Sequence, residues 1–210
     1  MSWTKAPDPQ GIRVAAFDLD GTLTRQDTMW AFLRLARGWG LIPRLLPALP
    51  ALLGLKLGLV QRRQAKEALL RAVLGGMRRP QLERLALRFA QERMPALLRP
   101  AGWARLQAHR ADGDEAVIVT ASLDLWLGPW AAEAGIPLLA SQAAFSDDRF
   151  AGLAGPNCYG PEKVRRLGEW LAGRPVARLT AYGDSGGDRE LLAAADEAHW
   201  RPFQSPANPA

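Results

Sequence analysis

The chain has 210 residues, 48% of them apolar, enough for one substantial core with room for a smaller second unit, which excludes a disordered chain. Its single cysteine, Cys158, excludes an internal disulfide framework, and the first ten residues, MSWTKAPDPQ, lack the apolar stretch of a secretory signal, so a cytoplasmic protein is expected. The net charge of +6 hides an asymmetry: residues 28–99 carry 14 Lys and Arg against 3 Asp and Glu, and the rest of the chain carries 13 against 18.

In chain order, IRVAAF is short, apolar and free of proline, which predicts a buried strand. It runs into FDLDGTLT, so Asp18 and Asp20 project from the strand's C-terminal end, the edge at which open α/β sheets bind ligands. Two such close carboxylates repel and raise each other's pKa, an arrangement tolerated mainly where a cation or a shared proton offsets the repulsion. The competing reading of these eight residues alone is a solvated Asp-Gly turn. From Trp30 to about Arg110, leucine-rich helical patterns are interrupted by Pro43, Pro47, Pro50, Pro80, Pro95 and Pro100, with no convincing strand. That is too long for one crossover and predicts a helical insertion beside the sheet, placed to cover the two acids.

AVIVT, Ala116 to Thr120, reads as a second buried strand, LDLWLGPWAAEAG as a helix ending at Gly135, and IPLLAS as extended chain. AAFSDDRFAG predicts a hairpin at the sheet edge, EKVRRLGEWLAG an amphipathic helix stopped at Gly173, VARLTAYGD a strand and DRELLAAAD its following helix. The alternation predicts an α/β fold: a doubly wound parallel sheet core, residues 1–27 and 100–210, with a helical cap, residues 28–99, inserted after the first strand.

Four strand ends or helix starts supply polar groups able to converge. They are Asp18 and Asp20, then VTAS with the Thr120 hydroxyl and the amides from Ala121 onward, then GPEK with Lys163 in a first helical turn started by Pro161, and last YGDSGGD with Asp184 and Asp188. Carboxylates, one lysine and one hydroxyl make a site for Mg²⁺ and a phosphoryl group, because hard oxygen ligands suit Mg²⁺ and the lysine neutralises phosphate oxygens. DLDGT, VTAS, the lysine of GPEK and GDSGGD, in this order, resemble the four motifs of the haloacid dehalogenase superfamily of phosphotransferases. Within it, the chain is most similar to the branch containing phosphoserine phosphatases and bacterial phosphatidylglycerophosphatase.

The resemblance implies that Asp18 attacks phosphorus and forms an aspartyl-phosphate, and that Asp20 protonates the leaving oxygen and then deprotonates water. It implies that Thr120 and Lys163 hold the phosphoryl oxygens, and that Asp184 binds Mg²⁺ with Asp18 and the backbone carbonyl of Asp20. Asp188 is expected to orient Lys163 or a metal-bound water, and Asp27 to lie on the substrate side, where phosphoserine phosphatases carry a glutamate. Those phosphatases also carry Ser-Thr where this chain has Gly21-Thr22. His109, His199 and Cys158 are expected to be structural, Trp126 and Trp130 to pack, and Gly183, Gly186 and Gly187 to permit the turn under the metal.

Selectivity is expected in the insertion. LIPRLLPALPALLGLKLGLV has 13 apolar residues of 20 and is followed by basic residues including Arg62, Arg63 and Lys66. A membrane span fits poorly, since Arg44 and Lys56 leave eleven uncharged residues between them, about 17 Å of helix against a hydrocarbon core of about 30 Å. Two readings remain: an apolar surface lying in the interface of an anionic membrane and taking a lipid head group such as phosphatidylglycerophosphate, or leucines packing the cap of an enzyme for a soluble ester such as phosphoserine. A non-catalytic nucleic-acid-binding module is the rival from another class, but the basic segment lacks interleaved aromatics and the ordered acids have no place in it, so no nucleic acid is expected.

Overall fold

Both faces of strand β1 (Ile12–Phe17) are apolar, Val14 and Ala16 on one side and Ala15 and Phe17 on the other, and all four are buried. A strand with no polar face has to be covered on both sides, the condition of a parallel sheet between helical layers. The computed structural model describes residues 11–204, so the reading of the first ten residues, where the expected core segment begins, lies outside the described residues.

The chain continues with α1 (Thr28–Arg37), α2 (Leu41–Leu45), α3 (Leu49–Lys56), α4 (Arg62–Leu74), α5 (Arg79–Glu92), α6 (Met94–Leu97) and α7 (Pro100–Ala111). Then follow β2 (Glu115–Leu123), α8 (Asp124–Glu133), β3 (Leu138–Ser146), β4 (Arg149–Ala154), α9 (Pro161–Leu171), β5 (Val176–Gly183), α10 (Arg189–Ala194) and β6 (Glu197–Trp200). The sheet order is β4-β3-β2-β1-β5-β6, parallel except for β4, which pairs with β3 as the expected hairpin. Asp147 and Asp148 form its turn with φ of 48° and 60°, conformations that short polar side chains tolerate. Because the chain steps outward from β1 to β3 and returns past β1 to β5, the strand order reverses beside β1, and a crevice opens at the strands' C-terminal ends.

One core cluster joins Ala15, Phe17 and Ile118 to the helices that follow β1, and a second joins Val14, Ala16, Val117 and Val119 to α9 and α10. The edge strand β6 was not anticipated, because EAHW is too short and too polar to show a strand pattern. The prolines of the helical segment also differ from expectation. Pro50, Pro80, Pro95 and Pro100 stand in the first turns of α3, α5, α6 and α7, where the missing N–H costs nothing, so they start helices instead of breaking them.

The segment leaves and rejoins the sheet at one place. Thr24 and Leu98 form an antiparallel bridge, Arg25 N–H donates to Leu97 O at 2.8 Å, and Arg99 N–H donates to Leu23 O at 2.7 Å. Above this tether, Phe32 of α1 stacks on Trp126 of α8 at 5.1 Å and meets Phe89 of α5 edge-on at 5.6 Å. The hairpin holds the far side, with Arg71 Nε donating to Ala151 O and Arg79 N–H to Asp148 O, both at 2.8 Å.

Candidate active site

After β1 the backbone turns through Leu19–Leu23 and closes with Thr24 N–H donating to Leu19 O at 2.9 Å. Gly21 has φ of +86°, and a Cβ there would lie 2.2 Å from Asp184 Oδ2, so both its conformation and its proximity to β5's end require glycine. The turn keeps Asp18 at the strand end, buried, with Thr22 Oγ1 donating to Asp18 Oδ2 at 3.2 Å.

Lys163, in the first turn of α9, is buried between two carboxylates and donates to Asp18 Oδ1 at 2.5 Å and Asp188 Oδ1 at 2.6 Å. Burial alone would lower the Lys163 pKa, but Asp18 and Asp188 outweigh it and hold the ammonium above the ordinary lysine range. Asp188 accepts at its other oxygen from Asp184 N–H, Ser185 N–H and Ser185 Oγ, and with Lys163 these offset burial and keep its pKa low. Asp18 shows the opposite balance: burial raises it, Lys163 only partly opposes this, and the neighbouring Asp188 and Asp20 raise it further, to about 7. Burial, then Asp188, also raises Asp184.

Carboxylate oxygens of Asp18, Asp184 and Asp188 lie within 4.8 Å of one another, and Asp184 Oδ1 is buried without a hydrogen-bond partner. An orphaned acid oxygen beside a second raised carboxylate, with Lys163 already shared between Asp18 and Asp188, fits a hard divalent cation with oxygen ligands. The Asp20 carboxylate is not in that group. It is held by Thr28 N–H at 2.7 Å, the first residue of α1, and by Ser122 Oγ at 2.5 Å.

Thr120 and Ala121, at the end of β2, line the cleft with Asp18, Asp20, Asp27 and Lys163. Thr120 Oγ1 accepts from Ser122 N–H at 3.1 Å, which curls the strand end. Asp27 caps α1, accepting from Met29 N–H at 2.8 Å and Trp30 N–H at 3.4 Å. Gly183 and Gly187 have ordinary negative φ; they are glycines because a Cβ would lie 2.5 Å from Asp188 Cβ and 2.4 Å from the Tyr159 ring.

The residues expected to be structural lie in packed or paired settings. His109 is buried between Asp114 and Tyr182 OH, both at 2.7 Å; His199 stacks on Tyr182; Trp126 and Trp130 are buried. Cys158 is buried, which lifts its thiol to about 11.

Lys66, which the sequence reading grouped with Arg62 and Arg63 after the apolar run, is turned into the cleft. Half-buried on α4, it donates to Ala121 O and to Asn157 Oδ1, the latter at 2.8 Å, and lines the cleft. Burial lowers its pKa to about 8 despite the opposing pull of Asp20 and Asp27. Ser122, Asn157 and Tyr159 were also missed. Ser122 sat in view within VTAS, whereas no local signal marks the other two. The cleft holds about 440 Å³, polar at its floor and walled by Met29, Trp30, Leu52, Leu55 and Leu69.

A buried carboxylate at a strand end, a second acid two residues on, a buried lysine shared by two acids and an acid cluster that fits a cation, all at the switch point of a doubly wound sheet, point to a phosphoric monoester hydrolase. The haloacid dehalogenase-like hydrolase family matches residues 15–193, and the chain belongs to that family. It is 43% identical over 198 residues to Protein CicA of Caulobacter vibrioides (strain NA1000 / CB15N), covering 91% of this chain and 86% of that protein. Among solved structures, a protein with unknown function from Bordetella pertussis Tohama I is similar at TM-score 0.75 and 26% identity, covering 89% of this chain and 88% of the other. A phosphoserine phosphohydrolase-like protein from Francisella tularensis subsp. tularensis SCHU S4 shares the fold at TM-score 0.65 and 19% identity, over 90% and 86% of the two chains. So does a phospho-aspartyl intermediate analogue of phosphoserine phosphatase, at 0.63 and 16%, over 89% and 84%.

Proposed function

We propose that the protein is a Mg²⁺-dependent phosphomonoesterase working through an aspartyl-phosphate, with residues 28–99 as its cap. The observation that carries this reading is the buried Asp18–Lys163–Asp188 triad beside the orphaned Asp184 oxygen. Asp18, Asp184 and the Asp20 carbonyl would hold the cation, which supplies charge neutralisation for the phosphoryl oxygens. Lys163 and the Thr120 hydroxyl orient the phosphoryl group. Asp18 attacks phosphorus, the phosphorus–oxygen bond to the alcohol breaks, and Asp20 gives that oxygen a proton. Asp20 then takes a proton from water as the water attacks the acyl phosphate, releasing inorganic phosphate and restoring Asp18.

The substrate is a phosphorylated small molecule or lipid head group, and the cleft favours the lipid phosphate, for instance phosphatidylglycerophosphate. Its wall of Met29, Trp30, Leu52, Leu55 and Leu69 suits an amphiphile, while Lys66 offers a cation for a second anionic group. A lipid phosphate also places a cytoplasmic enzyme at the inner face of the membrane. Phosphoserine would leave the apolar wall without a partner. The test is phosphate release from the lipid phosphate in mixed micelles and from phosphoserine, each with Mg²⁺ and with chelator. Preference for the lipid with Mg²⁺ is expected; preference for phosphoserine rejects the lipid, and activity in excess chelator rejects the metal.

A further inference from the structure

Between Thr28 and Lys66 the chain holds seven Arg and Lys and no acid. Residues Thr28–Lys56 form a nearly continuous helical run, long and apolar enough by length and composition to cross a membrane, and little of it is buried. Two opposite stripes follow from its spacing. Leu41 and Ala48 are buried, and Leu52 and Leu55 line the cleft. On the other side Trp39, Ile42, Leu46, Leu49, Leu53 and Leu57 recur every three or four residues over about 27 Å and stand in solvent, Trp39 at 91% and Leu57 at 71% exposure. A soluble helix puts polar residues on that face, and a contiguous apolar strip of this length marks a binding surface.

We propose that this stripe is a docking surface for an anionic lipid bilayer, with the helical run lying in the plane of the interface and the mouth of the cleft turned toward the lipid. The inference deepens the lipid-phosphate reading of the site and rests on it for its purpose. Charge selects the occupant. Arg34, Arg44, Lys56, Arg62 and Arg63 are exposed around the stripe with no acid among them, so a second copy would bring like charge against like charge, whereas anionic head groups complement it. Spanning the membrane would strip Leu41 and Ala48 from the packed interior and Leu52 and Leu55 from the cleft, and would carry Arg44 into hydrocarbon. Lying in the interface keeps the inner stripe packed and buries only the outer one. Acyl chains then remain in the bilayer while a head-group phosphate enters beside Leu52 and Leu55 toward Lys66 and Asp18.

The test is flotation of the full chain with vesicles of phosphatidylcholine, with and without phosphatidylglycerol, at low and high salt. Hydrolysis of soluble p-nitrophenyl phosphate is measured in parallel. Binding to the phosphatidylglycerol vesicles, weakened by salt, is expected. The variant Leu46→Glu/Leu49→Glu/Leu53→Glu, which alters no cleft-lining side chain, is expected to bind at least tenfold more weakly with unchanged p-nitrophenyl phosphate turnover. Wild-type protein that ignores anionic vesicles, a variant that binds as well as wild type, or a lipid-free dimer that the variant returns to monomer would each overturn the proposal. Vesicle binding without phosphatase activity upholds the docking surface and rejects the catalytic reading, so the two failures are distinct.

Discussion

Asp18 and Asp20 sit two residues apart in different surroundings, and the proposed function gives them different work. Asp18 is buried against Lys163, whereas Asp20 is tied to Ser122 and to the first amide of α1. Asp18→Asn is expected to abolish turnover while substrate still binds, since the amide is nearly isosteric but no nucleophile. Asp20→Asn is expected to lower kcat by about 10² to 10⁴, the usual worth of general acid–base assistance. Single-turnover assays with binding measured separately check both, and wild-type turnover by Asp18→Asn would refute the covalent route. Lys66 is expected to supply the pH dependence. Its pKa is lowered to about 8, so the ammonium that anchors an anion is present below that pH and lost above it. The pH profile of kcat/KM is therefore expected to fall on an alkaline limb near pH 8, to keep its plateau to higher pH in Lys66→Arg, and in Lys66→Met to sit lower below pH 8, through raised KM, and to lose that limb.

At the scale of elements, the helical segment is tied to the sheet by aromatic packing as much as by the Thr24–Leu98 bridge. Trp126 of α8 is fully buried, stacks on Phe32 of α1 and donates its indole N–H to Thr28 Oγ1 at 3.3 Å. Thr28 Oγ1 in turn lies 2.9 Å from Ser122 Oγ, the group that holds Asp20. Trp126→Ala removes this packing and leaves a cavity, at an expected cost of about 3–5 kcal/mol. Urea unfolding is expected to show the midpoint fall with the slope unchanged, and an unaltered midpoint counts against the packing role. Gly21→Ala acts on a different element: its Cβ would press on Asp184 Oδ2 and its φ of +86° would strain an alanine, so metal-dependent activity and the unfolding midpoint are both expected to fall.

Across the whole molecule, the ends of β1 and β5 bring the carboxylates of Asp18, Asp184 and Asp188 within 4.8 Å of one another at one edge of the sheet, and the proposed cation would offset their repulsion. Mg²⁺ is expected to raise the melting temperature in a concentration-dependent way, as any ligand that binds only the folded state must. Chelation is expected to silence hydrolysis, Mg²⁺ to restore it, and Ca²⁺ to substitute poorly because its larger, looser shell would misplace the nucleophile. In Asp184→Asn the thermal shift with Mg²⁺ is expected to vanish; a shift that persists there removes Asp184 from the metal site.

The doubly wound sheet was legible in the sequence because IRVAAF, AVIVT and VARLTAYG are short runs rich in apolar residues, and α8 and α9 are each followed by a glycine, Gly135 and Gly173. The acids and Thr120 were legible because each stands at such a run, and Lys163 because Pro161 marks a helix start, so local pattern fixes their places. β6 was not legible, since four half-exposed residues carry no periodicity. Nor was the partnership of Lys66 with Ala121 and Asn157, which lie 55 and 91 residues away and meet it only because α4 packs over the strand ends. The apolar run after α1 shows the division most plainly. Its composition is identical whether its leucines face inward or outward, so the sequence left a packed cap and an open surface equally served. Only tertiary packing, by burying Leu41 and Ala48 and leaving Trp39, Ile42 and Leu46 in water, decided which side of the helix has no partner among the described residues.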